Sequence, residues 1–427
     1  MYKNNIKHFE DTILFIKNHD KLANCHLVDF ITDDLWNKCL SNDLKLQIQQ
    51  TNNSTNNNNH NNNEIINFNK LNFIKTTDAL NIKNNINVID ANDFNDDDNN
   101  NNKNLMKNRF MKNKKTYEID ILSNVIYSIW KKILPNNNET IVIDVGAGKG
   151  YLGTNLCENY GIPVLSIDSC PSRYKSALKR QKLLKKIKNK SYTLVRHLVE
   201  FIDEKTDYEK YIVLNYPNWN NNNNNDNLFL VGLHTCGNLA NSMIKSFVNS
   251  KSLGTLCVVP CCYHLTNETL TNKYLFTKNA RMLAQQSVER NSMKKNKKMP
   301  TSIFYRAILQ VLLKSLGMEN VVIGRGSAPS YDFKIYAKWA LNKIGLESNK
   351  IPKDNDLDKL YNKYADKEWQ INVFQSLRVH LGSVIETALI LDKILYLESR
   401  NECFKVSIVR IFDPLLSPRC YAILAFK

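Results

Sequence analysis

At 427 residues with 43% apolar side chains, the chain is long enough for two or three domains and can bury a sizeable core. No uncharged apolar run approaches the roughly 18 residues a membrane span needs, and "MYKNNIKHFE" lacks the features of a secretory signal, so a membrane or secreted protein is not expected. The formal charge of +17 and pI near 9.2 favour an anionic partner such as RNA, and ten cysteines in such a chain read as reduced thiols of the cytosol or nucleus.

In chain order, "HLVDFITDDLWNKCL" spaces Leu27, Phe30, Ile31 and Leu35 as on a helix face, which predicts a small helical module over residues 1–50. Residues 51–104 are dominated by asparagine and read as a disordered insertion, because such a tract buries too little apolar surface to offset its ordering entropy. A shorter tract, Asn220–Asp226, reads the same way. Over residues 105–265 the period changes. "TIVIDVGAG", "IPVLSID", "YTLVRHLV", "NLFLVGLHTCG" and "TLCVVPCCYHL" are strand-like and alternate with helical stretches, which predicts an α/β fold with a doubly wound, Rossmann-like parallel sheet. Residues 266–400 read as a mostly helical insertion, and 401–427 as a β-hairpin that completes the sheet with an antiparallel pair.

"IDVGAGKGYLG" places glycines at 146, 148 and 150. A phosphate loop would need Ser or Thr after Lys149, and the dinucleotide pattern would need glycine where Tyr151 stands. What remains is Asp-x-Gly-x-Gly-x-Gly, the loop type of S-adenosylmethionine (AdoMet) sites. There, absent side chains let the amino-acid part of the cofactor lie against the backbone. Asp144 ends the first strand of this core, and Asp168 ends the second, where a carboxylate can accept both ribose hydroxyls. Gly146, Gly148, Gly150 and these two acids are the expected cofactor residues.

In an open α/β sheet, ligands bind outside the carboxyl ends of the strands. His234, Thr235 and Cys236 follow the fourth core strand, and Tyr263 and His264 follow the fifth, so these five are the candidate catalytic residues. Either histidine suits proton transfer near neutral pH, and Tyr263 would orient an acceptor; either histidine equally suits a structural role. Cys236, Cys257, Cys261, Cys262, His234 and His264 supply enough ligands for zinc, but their spacing matches no paired zinc pattern, so no metal is expected. The Thr-Cys and Pro-Cys pairs occur in the order opposite to that of RNA cytosine-5 methyltransferases, and "NYPNW" (Asn215–Trp219) lies before the fourth strand, where an amine-methylation motif is not expected.

These segments resemble the methyltransferase-like protein 25 family, with its relative named for a ribosomal RNA adenine dimethylase domain. The resemblance rests on "MKNKKTYEI", "IDVGAGKGYL", "LVGLHTCGNLA", "CCYHL", "ARMLAQQSVER" and "FDPLLSPRCYAIL", with "VDFITDDLW" similar to the family's N-terminal helical segment. It covers most of the chain outside the asparagine tracts and implies a class I AdoMet-dependent methyltransferase. Tyr117 stands where the family usually has His before Glu118, and Asn238 where it has Asp, which removes a candidate carboxylate base. Glu118 is expected to cap the cofactor pocket.

The acceptor is not legible. "PSRYKSALKRQKLLKKIKNK" (Pro171–Lys190) carries nine basic residues and no acidic one, and "MKKNKK" (Met293–Lys298) is a second basic cluster, so RNA is favoured slightly over protein. Solubilising charge is the competing reading of both clusters, and a non-catalytic AdoMet- or RNA-binding scaffold is the alternative function.

Overall fold

The computed structural model describes residues 2–427 except 57–67, 86–87, 95–110, 134–139, 189–193, 218, 220–227, 287, 290–300, 319–320, 322, 324–327, 330 and 404. The Asn220–Asp226 tract and the Met293–Lys298 cluster lie outside the described residues. Among the described residues, no helix is long and apolar enough to cross a membrane. The chain divides into two compact units, each assembled from separate stretches: Met1–Ile13, Leu80–Gln285 and Ile385–Lys427 form the first, Leu14–Ala79 and Gln286–Val384 the second.

The first unit holds an eight-stranded sheet: β1 (Val88–Asp90), β2 (Ile141–Val145), β3 (Val164–Asp168), β4 (Val195–Val199), β5 (Leu228–Cys236), β6 (Leu253–Cys261), β7 (Lys405–Arg410) and β8 (Tyr421–Phe426). Their order is β1-β7-β8-β6-β5-β2-β3-β4. The pairs β4–β3, β3–β2, β2–β5 and β5–β6 are all parallel, which explains why β2, β3 and β6 are buried along their whole length and read as continuous apolar runs. β8 runs antiparallel to both β6 and β7, so the expected C-terminal pair closes the sheet. The helices Tyr151–Tyr160, Pro171–Lys188, Tyr208–Asn215 and Leu239–Asn249 follow β2, β3, β4 and β5, as a doubly wound sheet requires. Strand order reverses between β2 and β5, and a ligand cleft belongs at such a switch point.

Of the expected disordered insertion at residues 51–104, residues 57–67, 86–87 and 95–104 lie outside the described residues, and the described remainder holds regular structure. Asn42–Asn56 and Asn72–Ala79 are helical, and β1 pairs with β7 in parallel. Leu71, Phe73, Ile74 and Ile82 are buried, so a few apolar anchors order a stretch whose average composition is polar.

The second unit is helical. Phe304, Tyr305, Phe333, Tyr336 and Tyr361 form an aromatic cluster with ring centroids 5.6–6.1 Å apart for the pairs Tyr305–Phe333, Tyr305–Tyr336, Phe304–Tyr361 and Tyr305–Tyr361, and Phe30 packs edge-on to Phe374 at 5.2 Å. The 266–400 stretch is thus divided between units. The part nearest the sheet is tied locally: the Asp392 carboxylate accepts the backbone N–H groups of Leu270 (2.9 Å) and Thr271 (3.0 Å). Residues 1–50 divide as well, because the Asn5 amide donates to the Glu398 carboxylate at 2.9 Å and accepts from Asn85 at 3.0 Å within the sheet unit.

Candidate active site

The glycine loop leaves β2 and folds back on β3. Gly146 and Ala147 N–H both donate to the Ile167 carbonyl, at 2.9 and 3.1 Å, and Gly148 N–H donates to Asp168 Oδ2 at 2.9 Å. Gly150 has φ +65°, and a Cβ there would lie 2.5 Å from His197 Cε1 on β4, so conformation and space both demand glycine. Asp168 Oδ1 accepts from Cys170 N–H at 2.9 Å. Oδ2 also takes the Arg173 guanidinium at 3.4 Å, whereas Oδ1, with one backbone donor, keeps a lone pair with which to accept a ribose hydroxyl.

Asp144 is buried at the end of β2, and its Oδ2 has no hydrogen-bond partner. Burial pushes its carboxyl up to about 7; the Lys115 ammonium opposes that rise and the Asp168 charge adds to it. Lys115 is in turn lowered by burial and sits 4.6 Å from the Tyr151 ring centroid. A buried carboxylate with one unpartnered oxygen, beside backbone that glycines leave bare, suits a ligand carrying both a cation and a compact polar chain. These residues therefore fit AdoMet: Asp144 toward its positively charged amino-acid part, the loop along its backbone, Asp168 toward its ribose.

The carboxyl rim of β5 is shaped by a bulge. Gly232 pairs with Val258 and Thr235 with Pro260, so Leu233 and His234 stand opposite the single residue Val259. His234 takes φ 59°, in the left-handed region that a side chain rarely occupies. Its Nε2 lies 3.0 Å from Glu118 Oε1 on the helix Asn113–Ile133. Glu118 also accepts from the Ser417 hydroxyl at 2.6 Å and has Lys114 at 3.4 Å. Burial would raise its carboxyl, but the bonds from His234 and Ser417, together with the His234 and Lys114 charges, hold it at about 2. Glu118 is thus a buried, permanently charged group that orients an imidazole; with Nε2–H donated to it, Nδ1 is the ring atom that accepts a proton.

The other expected residues are placed as follows. The buried Thr235 hydroxyl donates to the Val259 carbonyl at 3.0 Å, tying β5 to β6. Tyr263 is buried, donates to Glu386 Oε1 at 2.9 Å and lies under the Arg419 guanidinium, 5.4 Å from its ring centroid. His264 Nδ1 pairs with the Gln285 amide. Asn238 does not face an acceptor; its Oδ1 takes the Asn267 N–H at 3.0 Å. Tyr117 Oη accepts the Asp413 N–H at 2.8 Å, so Tyr117 and Glu118 together hold the 412–417 loop.

Cys236, at the end of β5, meets the consecutive cysteines at the end of β6. Its Sγ lies 3.2 Å from both Cys261 and Cys262, which are 3.8 Å from each other. Cys257 is fully buried deeper in β6, where burial pushes its thiol up to about 12.

On the helix Pro171–Lys188, Lys175, Lys179, Lys182 and Lys185 are exposed. Arg180 is different: it donates to the Thr154 hydroxyl at 2.8 Å and covers the Tyr151 ring at 4.4 Å. The sequence concealed three partnerships: Glu118 with His234, Ser417 with Glu118, and Arg419 with Glu386 under Tyr263. "FDPLLSPRC" was the available signal for the last two, since it delivers Ser417 and Arg419 from one loop.

Residues 114–269 match the model of a methyltransferase domain family. Over 227 residues the chain is 32% identical to the human protein named probable methyltransferase-like protein 25, covering 47% of this chain and 37% of that one. The mouse protein of the same name is 31% identical over 228 residues, covering 47% and 38%. The match thus spans less than two fifths of those relatives' length. Among solved structures, coclaurine N-methyltransferase bound to N-methylheliamine and SAH overlaps 72% of this chain and 71% of that chain at 10% identity, with a TM-score of 0.23, a likeness that carries no argument. With the sheet order, glycine loop and strand-end acids in place, residues 114–269 are a class I, AdoMet-type methyltransferase domain, in a chain that is similar to methyltransferase-like protein 25 over about half its length.

Proposed function

We propose that this protein is an AdoMet-dependent methyltransferase acting on RNA. The observation that carries the cofactor reading is the loop itself: Gly148 N–H closes onto Asp168 while Oδ2 of the buried Asp144 beside it has no hydrogen-bond partner. Bound AdoMet supplies an electrophilic methyl group on a sulfonium. The chain's own part is alignment, which accounts for much of the acceleration in an in-line displacement. His234 is the base that takes the acceptor's proton at Nδ1, and Glu118 is a positioning residue that fixes the ring and stabilises its charged form. The exposed lysines of the helix following Asp168 support an anionic acceptor.

Calorimetry with AdoMet tests the cofactor assignment. Wild type is expected to bind one equivalent, and a folded Asp168→Ala protein to bind at least about tenfold more weakly, as the loss of two hydrogen bonds implies. Undiminished binding by that variant contradicts the assignment. Labelled AdoMet incubated with cell extract, then separated into RNA, protein and small-molecule fractions, tests the acceptor. Label in RNA supports the reading, and label in another fraction replaces the acceptor. AdoMet binding without any incorporation supports the scaffold instead.

A further inference from the structure

The first unit gathers three thiols at one point. Cys236 comes from β5, Cys261 from the end of β6 and Cys262 from the residue after it; their sulfur atoms lie within 4.8 Å of one another and form the one such cluster of His, Cys, Asp or Glu ligand atoms among the described residues. A tetrahedral zinc ion with bonds of about 2.3 Å to sulfur places any two ligand sulfurs about 3.8 Å apart. The Cys261–Cys262 separation of 3.8 Å equals that edge, and the two 3.2 Å separations from Cys236 reach it with a shift of roughly half an ångström in one side chain. We propose that Cys236, Cys261 and Cys262 form a three-thiolate site for a zinc-class divalent cation, with its fourth position open to an exchangeable ligand.

Several features favour a cation over three neutral thiols. Cys262 holds φ 49°, a left-handed backbone that turns its sulfur toward the same point as that of its neighbour Cys261. Three thiolates around a divalent ion carry one net negative charge, and two guanidinium groups stand near to offset it: Arg173 toward Cys236 and Arg419 toward Cys262. Binding takes up the metal and releases one proton from each thiol, with no change of oxidation state. A simple disulfide explains the arrangement less well, since Cys236 is equidistant from two sulfurs and can bond only one. Three protein ligands with an open position are the coordination of a catalytic rather than a closed structural ion. In the sequence these cysteines count as zinc ligands, but their spacing, one cysteine and an adjacent pair rather than two spaced pairs, argues against a metal, and only the pairing of neighbouring strands brings them together.

The test uses the full chain, reduced and metal-free, titrated anaerobically with Co²⁺ and then with Zn²⁺. One equivalent of Co²⁺ is expected to develop sulfur-to-metal charge-transfer absorption and tetrahedral visible bands, which Zn²⁺ then abolishes. Cys236→Ser changes the most exposed of the three, so the fold is least at stake. It is expected to lose the charge-transfer band by at least a third and to weaken Zn²⁺ binding by tenfold or more. Cys257→Ala, on the same strand but outside the cluster, is expected to keep both. No thiolate band in reduced wild type, or a band that survives Cys236→Ser and falls with Cys257→Ala, overturns the proposal. AdoMet binding measured on the same samples separates this outcome from failure of the methyltransferase reading.

Discussion

His234 Nε2 and Glu118 Oε1 lie 3.0 Å apart, joining a bulged strand end to a helix that precedes the whole sheet core in sequence. Because Glu118 is buried and held at about 2, its charge is constant across the working pH range, and its stabilising contribution is present above about pH 4.5 and lost as pH falls through 2. His234→Asn is expected to lower kcat by about 10²-fold or more, the usual share of a positioned base. Glu118→Gln keeps the shape but removes the charge, so its kcat should fall as well while AdoMet affinity stays near wild type. The double variant should be little worse than His234→Asn alone, since the two act as one unit. Independent, multiplying effects in steady-state kinetics would show that the pair does not work together.

Asp144 gives a pH dependence of opposite sign. Its native carboxyl is raised to about 7 while an unfolded aspartate titrates near 3.9, so the folded state holds this proton more tightly. The associated stability is fully present below about pH 4 and is lost as pH rises through 7, a change on the order of 4 kcal/mol. Cofactor-free protein should therefore lose stability toward denaturant between about pH 4 and 7, and Asp144→Asn should flatten that loss. AdoMet should restore wild type at the upper end, because its cation pairs with the ionised carboxylate. A pH profile that is the same in wild type and Asp144→Asn would remove Asp144 from the cofactor site.

How much of this was legible in the sequence differs by residue, for physical reasons. Gly146, Gly148, Gly150, Asp144 and Asp168 were legible because a strand that ends in an acid followed by glycines is a local pattern, and one loop and one strand end contain it. β2, β3 and β6 are legible because strands buried along their whole length must be largely apolar. His234 was legible as a rim residue, but its partner was not: nothing local connects Glu118 to a bulge on a distant strand. The three thiols are legible at one rim of the sheet, but their close approach is not, because it is created by the β5–β6 pairing of Cys236 with Cys261. The helices and strand among residues 68–85 and 88–94 are not legible because asparagine dominates the average, whereas packing depends on where Leu71, Phe73, Ile74 and Ile82 sit.

The proposed RNA acceptor rests on the exposed lysines of the helix Pro171–Lys188. The helix starts three residues after Asp168, so its first turns lie near the edge where the glycine loop meets β3. Lys175, Lys179, Lys182 and Lys185 are exposed and can approach phosphates, whereas Arg180 donates to Thr154 and covers Tyr151 beside the loop. Reversing Arg180 would disturb cofactor binding as well as charge, so the informative variant changes the four lysines to glutamate and leaves Arg180 in place. If these lysines neutralise single-stranded RNA, each contact releases counterions, and removing four should reduce the slope of log affinity against log salt by about 3. Calorimetric AdoMet affinity should be unchanged, which separates loss of the RNA surface from loss of the fold. Filter binding across a salt series supplies the measurement. If the wild-type slope is near zero, or the four-lysine variant keeps it, the helix is a solvated face and the acceptor is not RNA.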